Sequence, residues 1–169
     1  MPSLRVRVNA LDLALYRQVR SVARTPDSVR WVRSYSRLGE HGAMWLAAGA
    51  AGTALDGGRR GRWARATTTV GAAYLISTSI KLAVGRRRPA VEDLPHLMAT
   101  PTGLSFPSSH ATSSFAAARA FGRLVPGPVL YLAAFAMGLS RLYLGVHYPS
   151  DVAAGAALGT VVGSVGRCR

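Results

Sequence analysis

The sequence predicts an all-α fold: a polytopic transmembrane bundle of about five spans, preceded by an N-terminal amphipathic helical segment. Three observations lead there. Hydrophobic residues make up 49% of the 169-residue chain and charged residues only 17%, below the quarter or so usual for water-soluble domains. Apolar runs near the length a bilayer demands, about 17–25 residues, recur along the chain. These runs are rich in alanine and in the chain's 18 glycines, which let helices approach closely where lipid surrounds them. A length of 169 residues suits one folding unit, divided into an interfacial segment over 1–38 and a transmembrane unit over 39–169.

The N-terminal stretch 9–37 alternates Leu11, Leu15, Val19, Val22, Val29 and Trp31 with Arg17, Arg20, Arg24, Arg30 and Arg33, and breaks at Thr25–Pro26. That pattern predicts one or two amphipathic helices lying on lipid headgroups, with a cap packed on the bundle as the alternative. The spans are predicted over 39–55, 66–84, 108–125, 129–144 and 150–165. The turn Pro126-Gly127-Pro128 separates the third from the fourth. A bundle folded in water would need a polar stripe along each helix. AGAAGTAL and VAAGAALGTVVGSVG have almost none.

Charge narrows the partners. The formal net charge is +14, from 21 basic and 7 acidic residues. Nucleic acid is the first partner such a charge suggests. Here the arginines punctuate apolar runs instead of forming one basic face, so anionic lipid headgroups and phosphate substrates fit better. Cys168 is the single cysteine and has no partner for an internal disulfide or a metal site. The first twenty residues scatter charges through their apolar positions and predict no cleavable signal peptide.

Lys81, Arg88, His110, Arg141, His147 and Asp151 lie within or beside the apolar runs. Ionised groups in such places usually serve a site. Counting crossings puts all six at one membrane face, whereas Arg119 is read as snorkelling or bundle-interior. Lys81 and Arg88 are seven residues apart, two helical turns, and so predicted to share a face. Ser108, Ser109 and His110 open a helix whose free N–H groups favour an anion. With the basic side chains they form a phosphate cradle. Asp151 follows His147 by four residues, close enough to set its tautomer. One histidine is then suited to attack phosphorus and the other to protonate the leaving alkoxide.

These residues fall into three spaced motifs: Lys81–Arg88-Pro89 in KLAVGRRRP, Pro107-Ser108-Ser109-His110, and Ser140-Arg141 with His147 and Asp151 in SRLYLGVHYPSD. In that order the chain resembles the type-2 phosphatidic acid phosphatase superfamily over residues 81–151. The resemblance implies a metal-independent lipid phosphatase without cofactor, acting on the phosphomonoester of a polyprenyl-linked or glycerolipid phosphate. It implies His147 as the nucleophile of a phosphohistidine intermediate, Asp151 as its support and His110 as general acid. Lys81, Arg88, Ser108, Ser109 and Arg141 would hold the phosphoryl oxygens. Ser109 stands where the family usually has glycine, and five predicted spans are fewer than the six common among membrane members. The Ala/Gly/Arg-rich composition and compact N-terminus also resemble an actinobacterial group of decaprenyl-linked sugar phosphatases. The motifs leave open undecaprenyl diphosphate or phosphatidylglycerol phosphate as substrate, and a non-catalytic lipid-phosphate binding or transport protein as another class.

The sequence is silent on oligomeric state. Multi-pass insertion in the plasma membrane is predicted, with the active site at one interface. Charge bias between the faces leans the site toward the cytoplasm. The count sets Arg5, Arg7, Arg17, Arg20, Arg24, Arg30, Arg33 and Arg37 against Arg59, Arg60, Arg62, Arg65, Arg123, Arg167 and Arg169.

Overall fold

A computed structural model describes residues 4–22 and 24–165, with side chains from residue 9 onward. Cys168, Arg167 and Arg169 lie outside the described residues, as do the side chains of Arg5 and Arg7. The described residues form seven α-helices: α1 (Leu4–Arg20), α2 (Pro26–Leu38), α3 (Ala43–Leu55), α4 (Arg60–Val84), α5 (Ser109–Phe121), α6 (Gly127–Tyr143) and α7 (Pro149–Val165).

α5 is the axis of the bundle. It is buried nearly throughout and packs on α7, α4 and α6, while α3 lies against α4. Alanines and short hydroxyl residues make this possible, because a thin helix admits neighbours on every side. The α5–α7 seam is the closest. Gly155, Gly159 and Gly163 recur every four residues and so fall on one face of α7. A methyl group at Gly155 would stand 2.6 Å from the Ser108 carbonyl oxygen, and one at Gly163 2.7 Å from that of Ala116. At Gly159 it would run into the Thr112 carbonyl. Away from the seam, Trp45, Trp63, Val70, Phe115, Phe121 and Leu130 form the apolar core. The Trp45 indole N–H donates to Ser114 Oγ at 2.8 Å, so its burial leaves no orphan donor.

α1 and α2 pack on α6 and α7. The break between them is built by the sequence: Thr25 caps α2 in a reciprocal capping box with Ser28, and Pro26 takes a first-turn position where no N–H is missed. Tyr16, Asp12 and Arg20 on α1 are buried. The Tyr16 hydroxyl meets the Gly145 carbonyl at 3.2 Å, and Arg20 donates to Tyr143 O at 3.0 Å and Pro95 O at 2.6 Å. Polar groups of these helices thus grip the bundle.

The expected transmembrane bundle needs correction. Among the described residues, no helix is both long and apolar enough to cross a membrane. α3 and α5 have 13 residues each and α6 and α7 have 17. At about 1.5 Å per residue these fall short of a hydrocarbon layer roughly 30 Å thick. α4 reaches 25 residues but carries Arg60, Arg62, Arg65 and Lys81. The predicted spans had absorbed turn and cap residues, such as 39–42 and 122–125, that lie outside the α-helices. Their small residues pack helix to helix, as the α5–α7 seam does. Multi-pass insertion and a cytoplasmic-facing site rested on those crossings and go with them. Several large apolar side chains, among them Leu75, Leu82, Leu132, Phe135 and Leu139, remain on the outside.

Candidate active site

The site forms at one end of the bundle, where α4 ends, α5 and α7 begin, and the α6–α7 turn crosses between them. Ser108 caps α5, its hydroxyl accepting the Ala111 N–H at 3.4 Å. Its own N–H donates to the Asp151 carbonyl at 2.9 Å, which ties the start of α5 to the start of α7. The cap places His110 in the first turn of α5. Gly145, at φ +75° between α6 and α7, adopts the left-handed turn that returns the chain to the site and delivers His147.

His147 is buried with its two nitrogens in different surroundings. Arg88 Nη1 lies 3.1 Å from Nε2. A guanidinium only donates, so Nε2 is the acceptor and a neutral ring carries its proton on Nδ1. Nδ1 faces Asp151 Oδ2 at 3.4 Å, a close approach that is not a hydrogen bond. Burial, with Arg88, Arg141 and Lys81 nearby, holds the His147 pKa well below the usual imidazole value. The lone pair on Nε2 is therefore free of a proton near neutrality. His110 is likewise pushed well down by burial and then by Arg141 and His147. Its ring is held by the Ser36 backbone, while Nε2 is buried without a partner.

The cations arrive by separate routes. Lys81, in the last turn of α4, spends two of its three donors on backbone carbonyls, Ser105 at 3.1 Å and Pro107 at 2.8 Å. Burial, then repulsion from Arg88, lowers its pKa to about 8. Arg88 does not share the α4 face with Lys81 as the seven-residue spacing predicts. Gly85, at φ +65°, ends α4 three residues earlier. Arg88 then sits in a loop whose backbone pairs with residues 103–105. It reaches the site while donating to Thr102 O at 2.8 Å and Val146 O at 2.6 Å. Burial takes its pKa to about 10. Arg141 is buried, donates to Ser36 Oγ and contacts Met98 Sδ at 3.2 Å, and falls to about 9 through burial and then Arg88.

Lys81, Arg88, Ser109, His110, Arg141 and His147 all line one cleft of about 590 Å³, counting its open mouth. Ser108 and Asp151 do not line it. Ser108 is the buried cap of α5, and Asp151 stands behind His147. Arg119, outside the cleft, donates to Ser164 Oγ on α7 at 3.0 Å in an exposed contact. Among the described residues, no group of three or more His, Cys, Asp or Glu side chains converges as metal ligands.

Sequence reasoning missed two groups of residues. Asp151 Oδ1 accepts Arg86 Nη1 at 2.9 Å, and the other arm of Arg86 reaches Asp12 Oδ2 at 2.7 Å. Asp12 also accepts the Ser150 N–H at 2.9 Å and its hydroxyl at 2.5 Å. A ladder of alternating charge thus runs from α1 to His147. Asp12 is the only acidic residue among the first 26, a signal available in the sequence. Glu40, His41, Tyr74 and Thr78 at the cleft mouth belong to no spaced motif and had no such signal.

A cleft lined by Lys81, Arg88 and Arg141, with the imidazoles of His110 and His147 on it, defines a protein for phosphoryl transfer carried on an all-α fold. A model of the PAP2 superfamily matches residues 62–167, and the chain belongs to that superfamily as a lipid phosphatase of the PAP2 type. It is 41% identical over 140 residues to the decaprenylphosphoryl-5-phosphoribose phosphatase of Mycobacterium tuberculosis, spanning 83% of this chain and 79% of the relative. The crystal structure of LpxE from Aquifex aeolicus superposes with a TM-score of 0.79 at 26% identity, covering 92% of this chain and 94% of that one. The transmembrane PAP2-type phosphatidylglycerolphosphate phosphatase of Bacillus subtilis gives a TM-score of 0.75 at 22% identity, over 95% and 84%. That likeness speaks for the fold alone.

Proposed function

We propose that the chain hydrolyses the phosphomonoester of a polyprenyl-linked sugar phosphate through a phosphohistidine at His147. One observation carries the mechanism: His147 Nε2 is the acceptor of Arg88 Nη1 at 3.1 Å, with Asp151 behind the opposite nitrogen. A phosphoryl group entering the cradle would take over Arg88, the free third donor of Lys81 and the guanidinium of Arg141. It would then meet an unprotonated nitrogen.

Nε2 attacks phosphorus and the ester P–O bond breaks. The ring becomes cationic with Nδ1–H facing Asp151, which stabilises that charge. The leaving oxygen takes a proton from His110. Burial and positive neighbours favour neutral His110, and a dianionic phosphate beside it reverses that bias. Its partnerless Nε2 is the atom placed for the transfer. In the second step water attacks phosphorus, neutral His110 accepts its proton, and the P–N bond breaks to release phosphate. The cations meet the charge that develops on the phosphoryl oxygens. The prenyl-linked sugar phosphate follows from the relative named above. It ranks ahead of a diphosphate or glycerolipid substrate because that likeness spans most of both chains.

The experiment is acid-sensitive, base-stable labelling of the protein by a radioactive lipid phosphate, quenched during turnover with chelator present throughout. Label on His147 is expected. Label on His110, or turnover that returns only when magnesium is added back, would overturn the reading.

A further inference from the structure

We infer that the mouth of the cleft is a subsite for the hydroxyl groups of a sugar-like leaving alcohol, built on Glu40, Tyr74 and Thr78. This deepens the reading above and rests on it. Tyr74, Thr78 and Lys81 follow one another at i, i+4 and i+7 and so form one stripe along α4. All three line the cleft. The stripe leads from a phosphate-binding ammonium to a threonine hydroxyl about 4.5 Å along the axis and a phenol about 10 Å along it. The Thr78 hydroxyl donates to the Tyr74 carbonyl at 3.0 Å and the Tyr74 hydroxyl pairs with His41 Nδ1 at 2.7 Å, so beyond the phosphate both offer a substrate hydroxyl an oxygen lone pair.

The facing wall is held in a particular shape. Glu40 and His41 form a single 3-10 turn between α2 and α3. His41, at φ 53°, is the one non-glycine residue with positive φ among those described. Such a conformation persists where its surroundings fix it. Here His41 Nδ1 lies 2.7 Å from the Tyr74 hydroxyl, and the two rings meet edge to face at 5.7 Å. The turn is thereby latched to the α4 stripe, with Glu40 beside it on the cleft.

Glu40 decides what the mouth is for. Glu40 lines the cleft, is in none of the ion pairs among the described residues, and acts on Arg141 through its field. A carboxylate has only acceptors to offer, so it repels phosphate and belongs to no phosphate cradle. It also repels a leaving group that is itself a phosphate, which disfavours diphosphate substrates. What it accepts is a donor without negative charge, and a pair of neighbouring hydroxyls meets two carboxylate oxygens well. Anionic repulsion at the mouth and cations within orient a sugar phosphate with its ester deep and its ring outside.

The test compares methyl ribofuranoside 5-phosphate with its 2,3-dideoxy analogue, on the full chain and on Glu40→Ala, Glu40→Gln and Tyr74→Phe. In the parent, kcat/KM is expected to favour the hydroxylated probe by about tenfold or more. In Glu40→Ala that preference should shrink to within about twofold of unity, with Tyr74→Phe intermediate. Glu40→Gln keeps the shape and tells a folding defect from lost recognition, and it too should reduce the preference. An equal rate on both probes in the parent overturns the proposal. So does a Glu40→Ala protein that slows on both probes in parallel and keeps the preference, because Glu40 then acts through Arg141. A parent that releases no phosphate from either probe or from any lipid phosphate removes the phosphatase reading itself, a result distinct from the other two.

Discussion

The two walls of the cleft are built on opposite plans. Behind His147 every charged group is fastened: Asp151 to Arg86, Arg86 to Asp12, Asp12 to the first turn of α7. At the mouth, Glu40 is in none of the ion pairs among the described residues and meets Arg141 only through its field. Burial of charge is costly unless each group is paired, and Asp12, Arg86 and Asp151 of the inner wall meet that condition within the protein, while His147 Nδ1 and His110 Nε2 have no hydrogen-bond partner. The outer carboxylate does not meet that condition, and a bound substrate would complete it.

The contrast can be broken from its inner side first. His147→Ala should lower kcat by about 10⁴-fold or more, since removal of a nucleophile removes the whole covalent route. Phosphate release from a lipid phosphate at saturation measures it, and a residual rate within tenfold of the parent would place the nucleophile elsewhere. Asp151→Asn comes next, at about 10²- to 10⁴-fold in kcat with the chain still folded. The amide cannot stabilise the cationic ring, and it breaks the pair with Arg86. A near-parental rate would detach Asp151 from the mechanism.

Asp12→Asn sharpens the comparison, because Asp12 touches neither substrate nor His147. We expect kcat to fall about 10- to 100-fold through misplacement of Asp151, with KM changing little. A loss shared equally between kcat and KM, or matched by a fall in the amount of folded protein, would make Asp12 a merely structural anchor. The smallest effect is in pH. The alkaline limb of kcat/KM should lie near the Lys81 pKa of about 8, as the free site loses an ammonium. In kcat it should lie higher, because bound phosphate holds the proton. Lys81→Arg should carry the kcat/KM limb upward, and a limb unmoved by that change would assign it to another group. On the acid side, both buried histidines resist protonation in the folded chain, while unfolded ones take up protons near pH 6.5. The unfolded state then binds more protons, so stability should fall as pH drops below about 6.5, readable in urea midpoints.

The helices were legible because their apolar runs, caps and breakers sit close together in sequence. Thr25-Pro26, Gly85 and Pro126 each end or begin an element where local rules put it. Membrane crossing was not legible, because a count of small apolar residues does not distinguish lipid from a neighbouring helix. Ala116, Ala117 and Ala118 are fully buried by their own chain. The spaced motifs gathered Lys81, Arg88, His110, Arg141 and His147 at one cleft. The seven-residue spacing put Arg88 on the α4 face with Lys81, although the stop at Gly85 places it in a loop. Asp12 and Glu40 depend on contacts 138 and about 100 residues along the chain: Asp12 on Ser150 at the α7 start, Glu40 on the field of Arg141. Such pairings leave no local trace.

The glycine seam has a consequence for anyone mapping this protein by mutation. His110 rides on α5, and His147 is delivered to the start of α7. The interval between the two imidazoles is therefore set by how near those two helix backbones come. Gly155, Gly159 and Gly163 hold that interval at its minimum, though none borders the cleft. A saturation screen scored on phosphate release should return all three beside the histidines. The seam acts as a spacer gauge: widening it by one methyl group moves one imidazole away from the other while leaving every atom of both in place on its own element.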